Sequence, residues 1–106
     1  MNIVKLFLAT LIFSHLTLSQ KLEGKYLIGD VKAEIKIKNN HYRLFTEDPN
    51  TSSRLRYNQN TILNEQIWDE IRKGVIVGSL RFSSDYKTGT YVRKSDIMEF
   101  KIVRLE

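Results

Sequence analysis

The sequence contains no cysteine, a single proline and five glycines in 106 residues. Without cysteine, the chain has no disulfide framework, no thiol nucleophile and no thiolate ligands for a metal. Its length suits one domain, since independent cores usually need on the order of 100 residues. The hydrophobic fraction of 42% is too high for a disordered chain. The sequence therefore predicts one globular domain whose stability depends on packing alone.

Histidine is also scarce, with only His15 and His41 in the chain. A zinc site would need a second imidazole or a thiolate beside His41, and a Ser–His–Asp triad would need a buried acid beside it. The glycines are scattered and form no phosphate-binding loop. Two acidic pairs could act as paired catalytic carboxylates. Glu47–Asp48 lies in a predicted loop, and Asp69–Glu70 lies on the solvent-exposed face of a predicted helix, so neither pair is placed in a buried site. The sequence therefore predicts a non-enzyme with no catalytic residues, metal or cofactor.

Residues 1–19 have the pattern of a secretory signal peptide. A lysine precedes the apolar run Leu6–Phe13, and small residues at Thr17 and Ser19 suit a cut after Ser19. The run is too short to span a bilayer, which needs roughly 20 apolar residues. The alternative, a buried N-terminal helix, is disfavoured because the segment has no polar face. We expect export to the periplasm or the extracellular space, and one β-rich domain over residues 20–106 with no transmembrane segment.

The clearest strand pattern is Val31–Lys38, where apolar and charged residues alternate over eight positions. Asn39–Asn40 follows, and asparagine tolerates the positive φ that a two-residue hairpin loop demands. This loop sets the register of the hairpin, and a slip by one residue would bury a row of lysines. The register predicts four inward side chains: Ile35, Ile37, Tyr42 and Leu44.

A helix is predicted over Asn64–Lys73, where Ile67, Trp68 and Ile71 recur at helical spacing and Gly74 suits the C-terminal cap. About nine residues are too few for a helix to be stable alone, so we expect it to dock on the sheet through a buried Trp68.

Short strands are predicted in the rest of the chain. For the last hairpin two registers stay open, one with Tyr91 opposite Phe100 and one with Val92 opposite Met98. The pattern as a whole indicates a mostly β (α+β) fold, a small antiparallel meander or closed barrel of about six or seven short strands with one short helix. The strands predicted besides the Val31–Lys38 hairpin are Lys25–Ile28, Arg54–Tyr57, Val75–Phe82, Gly89–Lys94 and Ile97–Leu105.

A signal peptide followed by a short β-meander loosely resembles the small lipocalin-like and inhibitor barrels of exported bacterial proteins. The resemblance implies a barrel that binds either a small molecule or another protein, and it covers the general architecture rather than any sequence motif.

Two surfaces are candidates for binding. Basic side chains around an exposed aromatic ring can bind acidic glycans or anionic membranes, although lysines on a strand face also prevent edge-to-edge aggregation. A polar loop on a rigid barrel suits inhibitor-like binding to a protein, although it also serves as a simple connection. The basic face consists of Lys36, Lys38, His41, Arg43 and Phe45, and the candidate loop consists of Glu47, Asp48, Pro49 and Asn50.

The function expected from these features is that of a monomeric, non-catalytic domain. Its partner would be a protein or an anionic envelope component bound at the surface, and not nucleic acid. The alternative is a small lipocalin-like barrel that binds an apolar or anionic small ligand. Size disfavours this alternative, because a barrel needs about eight strands before its interior holds one small ligand.

Overall fold

The computed structural model describes residues 21–48, 51–59 and 65–105. Eight antiparallel strands follow one another around a barrel, which closes where β1 pairs with β8. Within the described ranges no helix is long and apolar enough to cross a membrane. The predicted signal peptide lies outside these ranges. The strands are β1 Gly24–Ile28, β2 Val31–Lys38, β3 His41–Phe45, β4 Ser52–Tyr57, β5 Glu65–Arg72, β6 Val75–Ser83, β7 Thr88–Arg93 and β8 Glu99–Arg104.

The predicted register of the β2–β3 hairpin is confirmed. Asn39 and Asn40 have φ of 54° and 66°, as a two-residue loop with two left-handed residues requires. Ile35 lies opposite Leu44, and both are buried. The prediction is wrong for Ile37, which is 50% exposed. Ile37 is the penultimate residue of β2 and lies at the rim of the barrel, next to the Asn39–Asn40 turn.

The predicted helix over 64–73 is wrong, because the described residues of this segment form β5. Along β5 the inward positions are Trp68 and Glu70, whose partners on β4 and β6 include the buried Leu55 and Leu80. A glutamate at an inward position removes the apolar alternation that marks a strand, and the remaining apolar residues then have helix-like spacing. Lys73–Gly74, predicted to end a helix, instead forms the two-residue β5–β6 turn.

With β5 as an additional strand, the described residues form eight strands rather than the six or seven predicted. The fold is therefore all-β in its described part, and not α+β. The predicted antiparallel meander is confirmed, and of the two forms that the sequence left open, an open meander and a closed barrel, the structure has the closed barrel. In the last hairpin Tyr91 lies opposite Phe100, and the register that pairs Val92 with Met98 is wrong.

The two ends of the barrel differ. We call the end where β1, β3, β5 and β7 begin the closed end, and the end where they finish the open end. At the closed end, the rings of Tyr26 and Phe82 are 5.4 Å apart, and Trp68 packs 5.1 Å from Tyr42 and 5.3 Å from Tyr57. Trp68 is half-buried on a strand, so its predicted role in docking a helix is wrong.

The segment Lys21–Glu23 is held across the closed end by one side chain of β8. Arg104 donates hydrogen bonds to the carbonyl oxygens of Lys21 at 2.7 Å and of Glu23 at 2.6 Å, and also to the Tyr26 hydroxyl at 2.6 Å. The Tyr26 hydroxyl in turn donates to the carbonyl of Leu22, whose side chain is buried in the core. Burial raises the pKa of Tyr26 to about 12. Strand β1 and the residues before it are thereby fixed to the barrel.

Candidate functional site

A cavity of about 200 Å³ opens at the open end of the barrel. An engineered cavity of about 150 Å³ in another protein is large enough for benzene, so this volume suits a small ring or a short branched chain. One part of its wall is apolar and another carries charged and hydroxyl groups. The apolar part comprises Ile28, Val31, Ala33, Leu44 and Phe100, and the polar part comprises Asp30, Thr46, Glu70, Arg72, Tyr91 and Arg93.

The polar wall is built around the carboxylate of Glu70, which is 3% exposed. Ser53, fully buried on β4, donates to Oε2 of Glu70 at 2.6 Å, and Tyr91 on β7 donates to Oε1. Arg72 donates from Nε to the Ser53 hydroxyl at 2.7 Å, and its guanidinium lies 3.6 Å from Glu70. A buried carboxylate is costly unless it is paired and hydrogen-bonded, and this one is both. We call Ser53, Glu70, Arg72 and Tyr91 the polar network.

Tyr91 owes its position to a glycine on the neighbouring strand. A Cβ at Gly78 would lie 2.4 Å from the Tyr91 hydroxyl oxygen and 2.7 Å from two ring carbons. Burial raises the pKa of Tyr91 well above its usual range, and the hydrogen bond to Glu70 raises it further. The tyrosine therefore stays protonated and acts as a fixed donor.

Arg93 contributes the second guanidinium at the cavity. It forms a two-point ion pair with Asp96, at 3.0 and 2.7 Å, and lies 5.1 Å from the centre of the Phe100 ring. This hydrogen bonding lowers the pKa of Asp96, so the carboxylate stays charged. Each guanidinium at the cavity thus has its own carboxylate, Glu70 for Arg72 and Asp96 for Arg93.

The predicted basic face lies outside the barrel, as expected. Lys36 is directly opposite Arg43, and Arg43 is directly opposite Arg54, so three cations form a row across β2, β3 and β4. Lys36 lies 4.0 Å from Glu34 and 4.9 Å above the Phe45 ring, which places Phe45 on this face too. The sequence did not identify Arg54, because its place in the row depends on the β3–β4 register.

The other members of the basic face lie nearer the closed end, where Lys38 pairs with His41 and both are exposed. Towards the open end the row continues into a groove of about 890 Å³. Its lining includes Arg43, Arg54, Arg72, Lys73, Ser52 and Ile71.

The predicted loop is described only in part. Glu47 and Asp48 are exposed, and Thr51 donates its backbone N–H and its hydroxyl to the Asp48 carbonyl, each at 3.1 Å. Pro49 and Asn50 lie outside the described residues. In the part of the chain that the structure describes, no three histidine, aspartate or glutamate side chains come together as metal ligands.

The polar network is not predicted by the sequence. In the predicted helix Glu70 lies on the solvent-exposed face, and Ser53 and Tyr91 have no predicted role at a site. The signal that could have found them is the alternation along β5, where Gln66, Trp68, Glu70 and Arg72 occupy every second position. Comparison with known proteins gives no match: no family model, curated protein or solved structure is significantly similar to the chain.

Proposed function

We propose that the protein is an exported, non-catalytic binding protein that holds a small molecule at the open end of its barrel. The observation that carries this proposal is the cavity beside a preformed, buried polar network. Ligand sites are commonly apolar pockets with a few convergent polar groups, and the mouths of β-barrels are among their usual places. With eight strands, the barrel reaches the size at which an interior can hold one small ligand.

The charges at the cavity favour an uncharged ligand over an anion. The two guanidinium groups are already paired with Glu70 and Asp96, and the carboxylate of Asp30 also lies at the rim. A ligand anion would have to compete with these carboxylates for the same N–H groups. A small, mainly apolar molecule with one hydroxyl or amide group would fit the wall without disturbing either ion pair.

The proposal is tested by titrating the mature chain with benzyl alcohol and with benzoate, which share a ring and differ in charge. Amide shifts in the NMR spectrum report where each molecule binds. We expect saturable shifts around Ala33 and Tyr91 with benzyl alcohol, and at least about tenfold weaker binding of benzoate, a difference of about 1.4 kcal/mol. Absence of saturable shifts at these positions would contradict the proposal.

A cavity-filling variant provides the control. Ala33 is 7% exposed and lines the cavity, so Ala33→Leu places extra methyl groups inside it. We expect this variant to lose the benzyl alcohol shifts. Lys36→Ala, on the outer face of the same strand, should keep them. Equal loss in both variants would show that binding does not use the cavity.

A second candidate function is supported by the basic face, and it is the surface binding that the sequence predicts. Arg43 and Arg54 are direct neighbours on adjacent strands, an arrangement in which like charges destabilise a sheet. Their groove also offers the Ser52 hydroxyl, to which Arg43 donates at 2.9 Å. A row of cations beside a hydroxyl-lined groove suits an acidic polysaccharide of the envelope.

Binding to polygalacturonate, measured by calorimetry at increasing salt, tests this second function. We expect the affinity to fall with salt, because the contacts are between exposed charges. Arg54→Ala should weaken binding several-fold. Arg81→Ala, which removes a cation already paired with Glu65 at 2.8 Å, should not. Binding that neither salt nor Arg54→Ala changes would refute this role for the basic face.

A further inference from the structure

The β7–β8 turn presents apolar side chains to solvent in a strained conformation. Ile97 is 76% exposed and has a φ of 59°. A left-handed φ is a rare outlier for a β-branched residue and carries a cost in strain. Met98, the next residue, is 50% exposed. The turn therefore holds two apolar side chains in solvent, and the backbone of one of them is strained.

The turn is rigidly built. The backbone N–H of Ile97 donates to the Arg93 carbonyl at 2.8 Å, and that of Arg93 donates to the Met98 carbonyl at 2.9 Å. Asp96 accepts from the Met98 backbone N–H at 3.2 Å as well as from the Arg93 guanidinium. The exposure of Ile97 and Met98 is therefore imposed by a fixed hydrogen-bonded frame.

The neighbouring β5–β6 turn has the same character. Val75 is 59% exposed and directly follows the turn residues Lys73 and Gly74. Because β6 pairs with β7, the two turns are adjacent at the open end. Between them lies a groove of about 580 Å³ whose lining includes Arg72, Val75, Arg93 and Lys94. This half of the open end thus combines exposed apolar side chains with cations.

The opposite half of the open end has a different charge. Its β1–β2 turn and β3–β4 connection expose the acidic side chains of Asp30, Glu47 and Asp48. One exposed apolar residue, Val31, lies there as well. At the level of these turns, an anionic surface would be attracted to Lys73 and Lys94 and repelled by Asp30, Glu47 and Asp48. The basic face lies on the outer wall of β2, β3 and β4 rather than on the β1–β2 turn and the β3–β4 connection.

We propose that the turns β5–β6 and β7–β8 dock the open end of the barrel on the surface of an anionic phospholipid bilayer. Val75, Ile97 and Met98 enter the headgroup region, where apolar side chains gain by leaving water. Lys73 and Lys94 lie beside them and contact the lipid phosphates. Isolated exposed apolar residues are ordinary, but three on two adjacent turns, next to lysines, form an amphipathic edge.

Sedimentation with lipid vesicles tests the docking. Wild-type mature protein should bind vesicles of phosphatidylcholine mixed with phosphatidylglycerol, and should bind vesicles of phosphatidylcholine alone much less. Ile97→Gly removes the apolar side chain and places at 97 a residue that adopts this φ freely. We expect it to fold normally and to bind the mixed vesicles about tenfold less, which is the effect of losing burial of one aliphatic side chain. At low salt, Lys94→Glu should weaken binding to the mixed vesicles more than Ile97→Gly does, because it replaces an attraction to the lipid phosphates by a repulsion.

Two variants at the closed end are the controls. Leu105→Gly removes an apolar side chain that is 47% exposed, and Lys38→Glu reverses an exposed cation of the basic face. Both should bind mixed vesicles like the wild type. The proposal is overturned if the wild type ignores mixed vesicles, or if Lys38→Glu weakens binding as much as Lys94→Glu. None of these four residues lines the cavity, so benzyl alcohol binding should be unchanged in every variant and tests the small-ligand proposal separately.

Discussion

The two ends of this barrel are built from the same eight strands but differ in how their interiors are filled. At the closed end, aromatic rings occupy the interior, and Arg104 holds Lys21–Glu23 across it. At the open end, a carboxylate, two hydroxyls and a guanidinium lie in the interior with the rings of Tyr91 and Phe100, and a cavity lies beside them. Stability is therefore expected to come mainly from one end, which leaves the other free to carry a binding site.

The largest effect is expected from removing an aromatic ring at the closed end. Phe82 is fully buried and packs against Tyr26 and Tyr86 at 5.4 and 5.3 Å between ring centres. Phe82→Ala should cost about 3–5 kcal/mol in the free energy of unfolding, measured by urea denaturation. Phe100 is half-buried at the open end, so Phe100→Ala should cost roughly half as much, because the Phe100 side chain buries less apolar area on folding. Equal costs would mean that the two ends contribute alike.

The Arg104 contacts should be the next largest contribution. Arg104→Ala removes three charge-assisted hydrogen bonds at once, two of them part-buried, so we expect a loss of about 2–3 kcal/mol. The matched control is Arg81→Ala, whose side chain and that of its partner Glu65 are about 40% exposed, so the single ion pair should contribute less than about 1 kcal/mol. Urea denaturation of both variants checks the difference. A cost for Arg104→Ala no larger than for Arg81→Ala would mean that the closed end does not depend on this side chain.

Alkaline pH should weaken the closed end through Tyr26. Burial raises the pKa of Tyr26 from 10.0 to about 12, so the folded state binds the phenolic proton more tightly than the unfolded state. The resulting stabilisation is complete below pH 10 and disappears as the pH rises to about 12. We expect the melting temperature to fall across this interval, and to fall less in Tyr26→Phe. An identical alkaline decline in both proteins would assign the effect to other tyrosines.

How far the sequence predicts the structure depends on whether the information is local. The register of the β2–β3 hairpin is predictable from the sequence because Asn39–Asn40 fixes it between strands that are adjacent in the chain. Strand β5 was mistaken for a helix because Glu70 occupies an inward position, and its partners Ser53 and Tyr91 are 17 and 21 residues away. The site could not be read from the sequence for the same reason, since a buried carboxylate is recognisable only once its distant donors are known.

The polar network should tolerate substitution better than the aromatic end. Glu70→Gln keeps the side-chain shape but removes the charge that balances Arg72, and its NH₂ group must face a hydroxyl that also donates. We expect a cost of about 1–3 kcal/mol and a loss of benzyl alcohol binding. Glu65→Gln, at an exposed ion pair on the same strand, should change neither by much. Benzyl alcohol binding unaffected by Glu70→Gln would show that the network supports the barrel without shaping the site.

The smallest effect is expected at Ile37, where the sequence predicts a core residue and the structure shows a side chain 50% exposed. Ile37 shares the inward face of β2 with Ile35, which is only 1% exposed. However, Ile37 is the penultimate residue of β2, at the rim of the barrel beside the Asn39–Asn40 turn. Ile35→Thr places a hydroxyl among apolar atoms without a partner and should lower the melting temperature clearly. Ile37→Thr keeps the β-branched shape favoured in strands and leaves its hydroxyl in water, so it should cost less than about 1 kcal/mol. Equal losses of melting temperature would show that the packed interior of the closed end extends to the β2–β3 turn.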